Sequence, residues 1–449
     1  MIKTLLIANR GEIALRIERT CKKLGITPHF IYESADKDLP HALKKTSHPI
    51  ESYMSIENIV KLGKKLDIDA IHPGYGFISE NYKFPLKCRE EGIEFVGPSP
   101  ESMKKFGDKQ EMLLLTSFAY IPRIPGRFLD INNKESILAT AEELKYPLIV
   151  KGKESGGGRQ IKVNSSDEEL LDSVEKLKRE KLTEVYISKF LTNVKHIEVQ
   201  LLGDKRGNII SLSTRDCSIQ RRYQKLIEEA PSSIPKSLQR TIEMTAIKIA
   251  HLGDYVNAGT IEFLVDVDNN FYFMEVNPRL QVEHTVTEEI FGLDLVEWQL
   301  KLANSEDLIL DPTNIHPKGH AIQLRINAED PNQNFVGTAG KILNYIPPYE
   351  NNSYKVRIDT FIKKGLVIPA IYDSMIAKLI VHSDNRPHAI QAMLDAISKI
   401  KVGGIKTTLP FYEAILKHPI FKNSNHKTNY LNLYMEDLLK ISSMCSFTQ

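Results

Sequence analysis

Over the first hundred residues, short apolar runs alternate with stretches whose apolar positions recur every three or four residues. The run TLLIA (4–8) reads as a buried strand, and the stretch opened by Asn9-Arg10-Gly11-Glu12 reads as a helix with Ile13, Ile17 and Cys21 on one face. Further strands are expected at 29–33, 69–72 and 94–97, separated by helical stretches. That βαβ rhythm predicts a parallel sheet covered by helices. No GxGxxG follows the first strand, which removes the main support for dinucleotide binding.

Residues 99–125 read as a helical connector. A small α+β unit follows: strands at 147–152 and 160–163 flank a loop at 153–159, then come a helix at 167–180 presenting Leu170, Leu171, Val174 and Leu177, and a closing strand at 185–190. From residue 196 the chain is hairpin-rich. A strand at 196–202 turns at 203–208 and returns at 209–214, and strands at 259–266 and 271–277 flank a second turn. Mixed elements continue to residue 434, and the last dozen residues are expected to fray.

The second turn carries the most informative chemistry, AGTIEFLVDVDNNFYFMEVNPRLQVEH (258–284). With Asp268-Asn269 as a two-residue tip, or 267–270 as a four-residue loop, Glu262 pairs with Glu275, and alternation puts Asn277 on the same face. Two carboxylates about 5 Å apart repel if dry. An oxygen-seeking cation relieves that, and Mg²⁺ accompanied by phosphate is the usual guest. The plainer alternative is a solvated sheet face. The apolar neighbours Ile261, Phe263, Met274 and Val276 make the strands look buried and favour metal.

Three further segments bear on anions. In KGKESGGGR (151–159), Gly156, Gly157 and Gly158 let backbone N–H groups approach a phosphate, with Lys151 at the end of the preceding strand. Taken alone, a glycine triplet is more commonly a flexible turn. RDCSIQRRYQK (215–225) gathers Arg215, Arg221, Arg222 and Lys225, and PRLQVEH offers Arg279, Gln281 and Glu283 near one small anion. HPGYGF (72–77) and RINAED (325–330) say little in isolation.

Composition narrows the class. The 449 residues suit two or three domains. Hydrophobic residues at 42% and charged residues at 26% exclude a low-complexity or disordered chain. Lys plus Arg number 59 against 57 Asp plus Glu, so nothing global argues for nucleic acid. Cys21, Cys88, Cys217 and Cys445 form no CxxC pair, which speaks against a disulfide framework or zinc and fits a reducing compartment. The N-terminus does not read as a signal peptide, and no apolar run approaches the roughly 18 residues of a membrane span. A cytoplasmic enzyme without membrane or nucleic-acid partners is expected.

Taken together, the segments resemble biotin carboxylase of the ATP-grasp superfamily over nearly the whole chain. The likeness runs through IANRGEIALRI (7–17), HPGYGFISEN, FVGPSPESM, GDK (107–109), RDCSIQRR, EEAP, GTIEFL, EVNPRLQVEHTVTEE, RINAEDP and YDSMIAKLI (372–380). The resemblance implies a three-domain ATP-grasp fold of α/β and α+β type. Its parts are a Rossmann-like domain (1–98), a helical linker (99–125), a mobile lid (126–190), a mixed C-terminal domain (191–434) and a tail (435–449). It implies ATP-driven activation of bicarbonate as carboxyphosphate and carboxylation of biotin at N1′, with Mg²⁺ or Mn²⁺. By motif, Lys109, Lys151 and the three glycines meet ATP phosphates. Ser188, Lys189, Phe190, Leu191, His196, Gln220, Tyr223 and Leu264 line the nucleotide pocket, with the hinge at 189–191 meeting adenine through its backbone. Glu262, Glu275 and Asn277 hold the metal. Lys225, Arg279, Gln281 and Val282 hold bicarbonate, Glu283 is its base, Arg325 stabilises the biotin enolate, and Tyr75 lies beside biotin.

The chain departs from the family pattern around the nucleotide. Lys153, Glu154 and Ser155 replace part of a longer glycine run, Ser188 stands where Glu is usual, Tyr223 stands where His is usual, and PNQNFVGTAGKI lacks the usual Pro-Ser. The leading reading is an active subunit that serves a separate biotin carboxyl carrier protein, since no Ala-Met-Lys-Met site occurs in the sequence. It is expected to work with a carboxyltransferase, as a homodimer, most commonly for acetyl-CoA, with a pyruvate or other acyl-CoA carboxylase as the alternative. A weakened regulatory subunit ranks next, and an amine-joining ATP-grasp ligase last.

Overall fold

The structure is a computed structural model that describes residues 1–152, 162–311, 314–349 and 354–445. β1 (Thr4–Ile7) is inaccessible at Leu5, Leu6 and Ile7, and it takes the centre of a parallel sheet. The sheet order is β3 (Ser47–Pro49), β2 (Thr27–Tyr32), β1, β4 (Ala70–His72), β5 (Glu94–Phe95). Helix α1 (Gly11–Leu24) buries Ile13, Ile17 and Cys21, as its spacing predicts, and stops at Gly25, whose φ of 70° is the left-handed cap that glycine favours. A central first strand flanked by crossover strands is the Rossmann-like arrangement expected from the βαβ rhythm.

The connector is helical only in part. Helices Pro100–Gly107 and Lys109–Phe118 are separated at Asp108, whose carboxylate caps the second by accepting from the N–H groups of Gln110 and Glu111. No helix continues from 119 to 125. The lid sheet then runs in the order β6 (Gly126–Asp130), β9 (Glu184–Lys189), β7 (Leu148–Gly152), β8 (Lys162–Asn164), all antiparallel. Its apolar face is sealed by Leu170, Val174 and Leu177 of helix Asp167–Arg179, whereas Leu171 stays half-buried. β6 and helix Lys134–Leu144 went unread in the sequence. Gly156, Gly157 and Gly158, with Lys153, Glu154 and Ser155, lie outside the described residues.

Among the described residues the largest sheet has eight strands. Its order is β14 (Phe271–Asn277), β13 (Asn257–Val265), β10 (Lys195–Gly203), β11 (Ile209–Arg221), β12 (Gln224–Ala230), β15 (His320–Asn327), then the strands Met375–Ser383 and Lys355–Thr360. β11 is one strand to Arg221, not one that stops at 214. The β13–β14 hairpin opposes Glu262 and Glu275 as alternation predicts, but by a different route. Asp266 N–H donates to the Asn270 carbonyl at 2.9 Å and Asn269 has φ 63°, so the tip is a three-residue loop. The ladder then slips by one at Met274, a bulge that restores the pairing. Met274 and Glu275 both face outward, which corrects the expectation of a wholly buried strand. Among the described residues, one helix, Tyr430–Cys445, runs on past residue 435 with Leu438 fully buried, where fraying is expected from the sequence.

Candidate active site

The alternation of β10 places His196, Glu198 and Gln200 on one face, between Ile197, Val199 and Leu201 on the other. Glu198 stands opposite Glu262 of β13 and opposite Arg215 of β11. Arg215 is wholly buried. It ion-pairs with Glu198 and donates to Gln200 at 2.7 Å, Thr260 at 2.9 Å and Thr287 at 3.0 Å. Every arm of that guanidinium is engaged, so Arg215 is a structural counter-ion inside the sheet and does not form an anion patch with its neighbours. Arg221 is also drawn away: it donates to the Asn334 carbonyl at 2.7 Å and lies 4.2 Å over the Phe335 ring. Arg222 and Tyr223 form the β11–β12 turn with φ of 49° and 65°, and Tyr223 is half exposed. The predicted basic cluster is therefore dispersed, because bulges in β11 and the turn send its members to different partners.

Lys225 alone of that group reaches the centre. Its Nζ donates to Glu198 Oε2 at 2.6 Å, Glu262 Oε1 at 2.7 Å and Glu283 Oε1 at 2.7 Å. Glu283 Oε2 accepts from Arg325 at 3.0 Å, and Arg325 Nε donates to Glu228 Oε1 at 2.5 Å. Glu228 is steadied by Gln323 at 2.9 Å. Burial pulls Lys225 down, but the three carboxylates outweigh it and hold it well above an ordinary lysine. Burial pushes Glu283 up, and Lys225, Arg325 and Arg215 reverse that to leave it well below an ordinary carboxylate. Glu262 is likewise held low by Lys225 and His196 against its burial. Burial leaves Glu228 raised, despite Arg325.

Around this core, Asn277 Nδ2 donates to Glu262 Oε1 at 3.0 Å and Gln281 Nε2 approaches the same oxygen at 3.4 Å. Arg279 donates to Gln281 Oε1 at 3.0 Å, Asn277 Oδ1 at 3.2 Å and Glu80 Oε1 at 2.6 Å. His196 Nε2 lies 3.1 Å from Glu262 Oε2, and Gln220 Nε2 lies 2.8 Å from His196 Nδ1. Leu264 pairs with His196 across β10 and β13.

The carboxylate pair thus needs no metal merely to avoid repulsion, since Glu262 is already neutralised by protein groups. Glu275 differs: among the described residues it has no ion pair. It reaches solvent along the cleft although protein packs around its other sides. That desolvation, then Glu262, pushes its pKa up, and Lys151 opposes them. Burial lowers both Lys109 and Lys151, and each feels Glu275 as a counter-charge. Two facing carboxylates, one of them without a cation, beside two desolvated lysines fit a divalent cation carried in with phosphates. Asn277 fits less directly, because its Oδ1 faces Arg279 and not the pair.

At the hinge, Ser188 is buried between Gly126 and Ile149. Lys189 and Phe190 use their N–H groups on the Pro125 and Pro147 carbonyls, and β9 ends at Lys189, which leaves Phe190 and Leu191 beyond the strand. Lys189 Nζ donates to the Lys145 and Tyr146 carbonyls. Tyr75 enters from the N-terminal domain, its ring 5.6 Å from Lys378 Nζ, and Lys378 donates to the Val282 carbonyl at 3.2 Å. Glu198, Glu228, Gln323 and Lys378 escaped the sequence reading, and Arg215 was read there as an anion-binding residue and not as the buried partner of Glu198. The available signal was a charged or amide residue on alternate positions of otherwise apolar strands.

A lid sheet and a large antiparallel sheet that bring lysines and carboxylates to a shared cleft define an ATP-grasp enzyme, suited to phosphoryl transfer. Family models match residues 1–103 (biotin carboxylase, N-terminal domain), 108–310 (carbamoyl-phosphate synthase L chain, ATP binding domain) and 323–433 (biotin carboxylase C-terminal domain). Biotin carboxylase 1 of Bacillus subtilis is 41% identical over 97% of this chain and 99% of its own length. The solved biotin carboxylase subunit of pyruvate carboxylase is 39% identical, covers 98% of this chain and 99% of that one, and superposes with a TM-score of 0.83. The biotin carboxylase domain dimer of Hydrogenobacter thermophilus 2-oxoglutarate carboxylase, solved with MgADP, ADP and bicarbonate, superposes with a TM-score of 0.93. It is 38% identical and covers 98% of this chain and 99% of that one. The chain belongs to the biotin carboxylase family.

Proposed function

We propose that this chain carries out the first half-reaction of a biotin-dependent carboxylase: ATP and bicarbonate react to carboxyphosphate, and biotin on a separate carrier protein is carboxylated at N1′. The observation that carries this reading is the Glu283 carboxylate bracketed by Lys225 on one oxygen and Arg325 on the other, with Glu262 on the same lysine.

In this reading Lys109 and Lys151 draw in the ATP phosphates. Ser188, Lys189, Phe190, Leu191, His196, Gln220, Tyr223 and Leu264 border the nucleotide. Glu262 and Glu275, with Asn277 after a turn of its amide, hold Mg²⁺ or Mn²⁺. When bound, that ion neutralises the charge that builds on the transferred phosphoryl group. Lys225, Arg279, Gln281 and Val282 orient bicarbonate, and Glu283 takes its proton. A carboxylate held this low is a weak base, so basicity must appear when substrate anions compete for Lys225 and loosen its grip on Glu283. Arg325 then faces the oxygen of the biotin ureido group as negative charge develops there, with Tyr75 alongside. The test is bicarbonate-dependent ATP cleavage stimulated by free biotin. Glu275→Gln should lose it while the protein stays folded, and wild-type turnover in that variant would overturn the metal assignment.

For the finer identity we propose acetyl-CoA as the holoenzyme's acceptor and a homodimer as the working form. The similarity to the biotin carboxylase subunit of pyruvate carboxylase supports the pyruvate alternative. Reconstitution with the co-purifying carrier and carboxyltransferase, assayed with acetyl-CoA and with pyruvate, decides between them, and light scattering tests the dimer.

A further inference from the structure

Lys378 is wholly buried, and nothing in the half-reaction above uses it. It lies in the strand Met375–Ser383 directly across from Arg325 of β15 and, on its other side, across from Asp359. Direct cross-strand partners share a face of the sheet. Lys378 Nζ donates to the Val282 carbonyl at 3.2 Å, while Arg325 holds the carboxylate of the next residue, Glu283, at 3.0 Å. Two adjacent cations of one sheet therefore grip two consecutive residues of the same loop, one by backbone and one by side chain.

Lys378 is tied on its other side to the N-terminal domain. Glu12 of α1 lies 3.1 Å from Nζ, and the Tyr75 ring lies 5.6 Å from it. Glu12 is buried, and apart from that lysine its carboxylate oxygens have no polar side-chain partner among the described residues. Burial pushes the Glu12 carboxyl up, and Lys378 is the chief group opposing that, so removing the lysine leaves the carboxyl buried without its main counter-charge.

Building on the proposed reaction, we infer that Lys378 is a positioning residue for carboxylation. It fixes the Val282 carbonyl, and so the placement of Glu283 relative to Arg325, and it seats Tyr75 beside them. Misplacing such a base by about 1 Å costs on the order of 10²-fold in rate.

The test compares wild type, Lys378→Met and the double variant Lys378→Met with Glu12→Leu, all as full chains. The single variant strands a buried carboxylate and should melt lower. The double variant removes both charges, and its melting temperature should return toward wild type. Biotin-stimulated ATP cleavage should nevertheless stay down on the order of 10²-fold in kcat, with KM for ATP within a few-fold of wild type. Recovery of kcat together with stability would show a merely structural lysine and overturn the inference. A proportional rise in KM for ATP would overturn it too. Absence of bicarbonate-dependent ATP cleavage in the wild type would instead refute the proposed half-reaction.

Discussion

Replacing Lys225 by Met removes the one cation shared by Glu198, Glu262 and Glu283. Arg215 still answers Glu198, and Arg325 still answers Glu283 while also serving Glu228, so negative charge is left in surplus. Losing one partner of a buried ion pair costs about 3–5 kcal/mol. In wild type, Glu262 and Glu283 sit below their ordinary range, so the stability they add is present above the unfolded carboxylate pKa and is lost only as pH falls below it. In the variant, one of the three carboxylates should keep a proton in the folded protein, its pKa raised. That contribution is present at low pH and is lost as pH rises through the raised value. The stability difference between variant and wild type should therefore widen from pH 5.5 to pH 8, by up to about 1.4 kcal/mol per pH unit. Melting temperatures of both proteins across that range measure it, and comparing the two cancels groups they share. A variant that tracks wild type at every pH would refute the charge accounting. Biotin-stimulated ATP cleavage should also fall by about 10²–10³.

Arg325→Ala should abolish biotin carboxylation while ATP binding, followed by calorimetry, stays within a few-fold; an equal loss of nucleotide affinity would show the role misassigned. Burial lowers His72 and His41 to about 4, so each binds a proton more readily unfolded, and their contribution is lost as pH falls from 6.5 toward 4. By pH 5.5 each should cost about 1.4 kcal/mol relative to pH 7.5, visible as a drop in the wild-type melting temperature; a flat profile would contradict their burial. Ser188→Glu should tighten ATP binding by up to about 1.5–3 kcal/mol if a charged acceptor for the adenine amine is what the hinge lacks. Unchanged affinity would mean that the pocket compensates elsewhere.

Much of the fold could be read from the sequence because period and burial agree. Ile13, Ile17 and Cys21 recur at helical spacing and are buried, and TLLIA is a central parallel strand. Glu262 and Glu275 do face each other, but strict alternation from the observed three-residue tip would have set Met274 opposite Glu262; the bulge at Met274 cancels that offset, and neither irregularity could be read from the sequence. The dispersal of Arg215, Arg221, Arg222 and Lys225 could not be read, since it depends on bulges and on partners far along the chain, such as Glu283 and Asn334. Glu198 and Lys378 were passed over because a lone charge in an apolar strand gains meaning only once its neighbours in the sheet are known. The low basicity of Glu283 belongs to the same class: it comes from charges supplied by β11, β12 and β15, and no local pattern encodes it.

The bulge at Met274 bears on how the chain tolerates changes of length. Elsewhere in β13 or β14, gaining or losing one residue would turn every following side chain to the opposite face and carry a carboxylate out of the cleft. Met274 is the exception. Phe263 pairs with Phe273 and Glu262 with Glu275, so deleting the residue between the latter partners closes the ladder without changing either pairing. The three-residue tip can likewise lengthen without disturbing the pairs beneath it. Single-residue indels in this hairpin, natural or engineered, should therefore survive only at the tip and at position 274, and any that reach the rungs between them should be found in inactive chains.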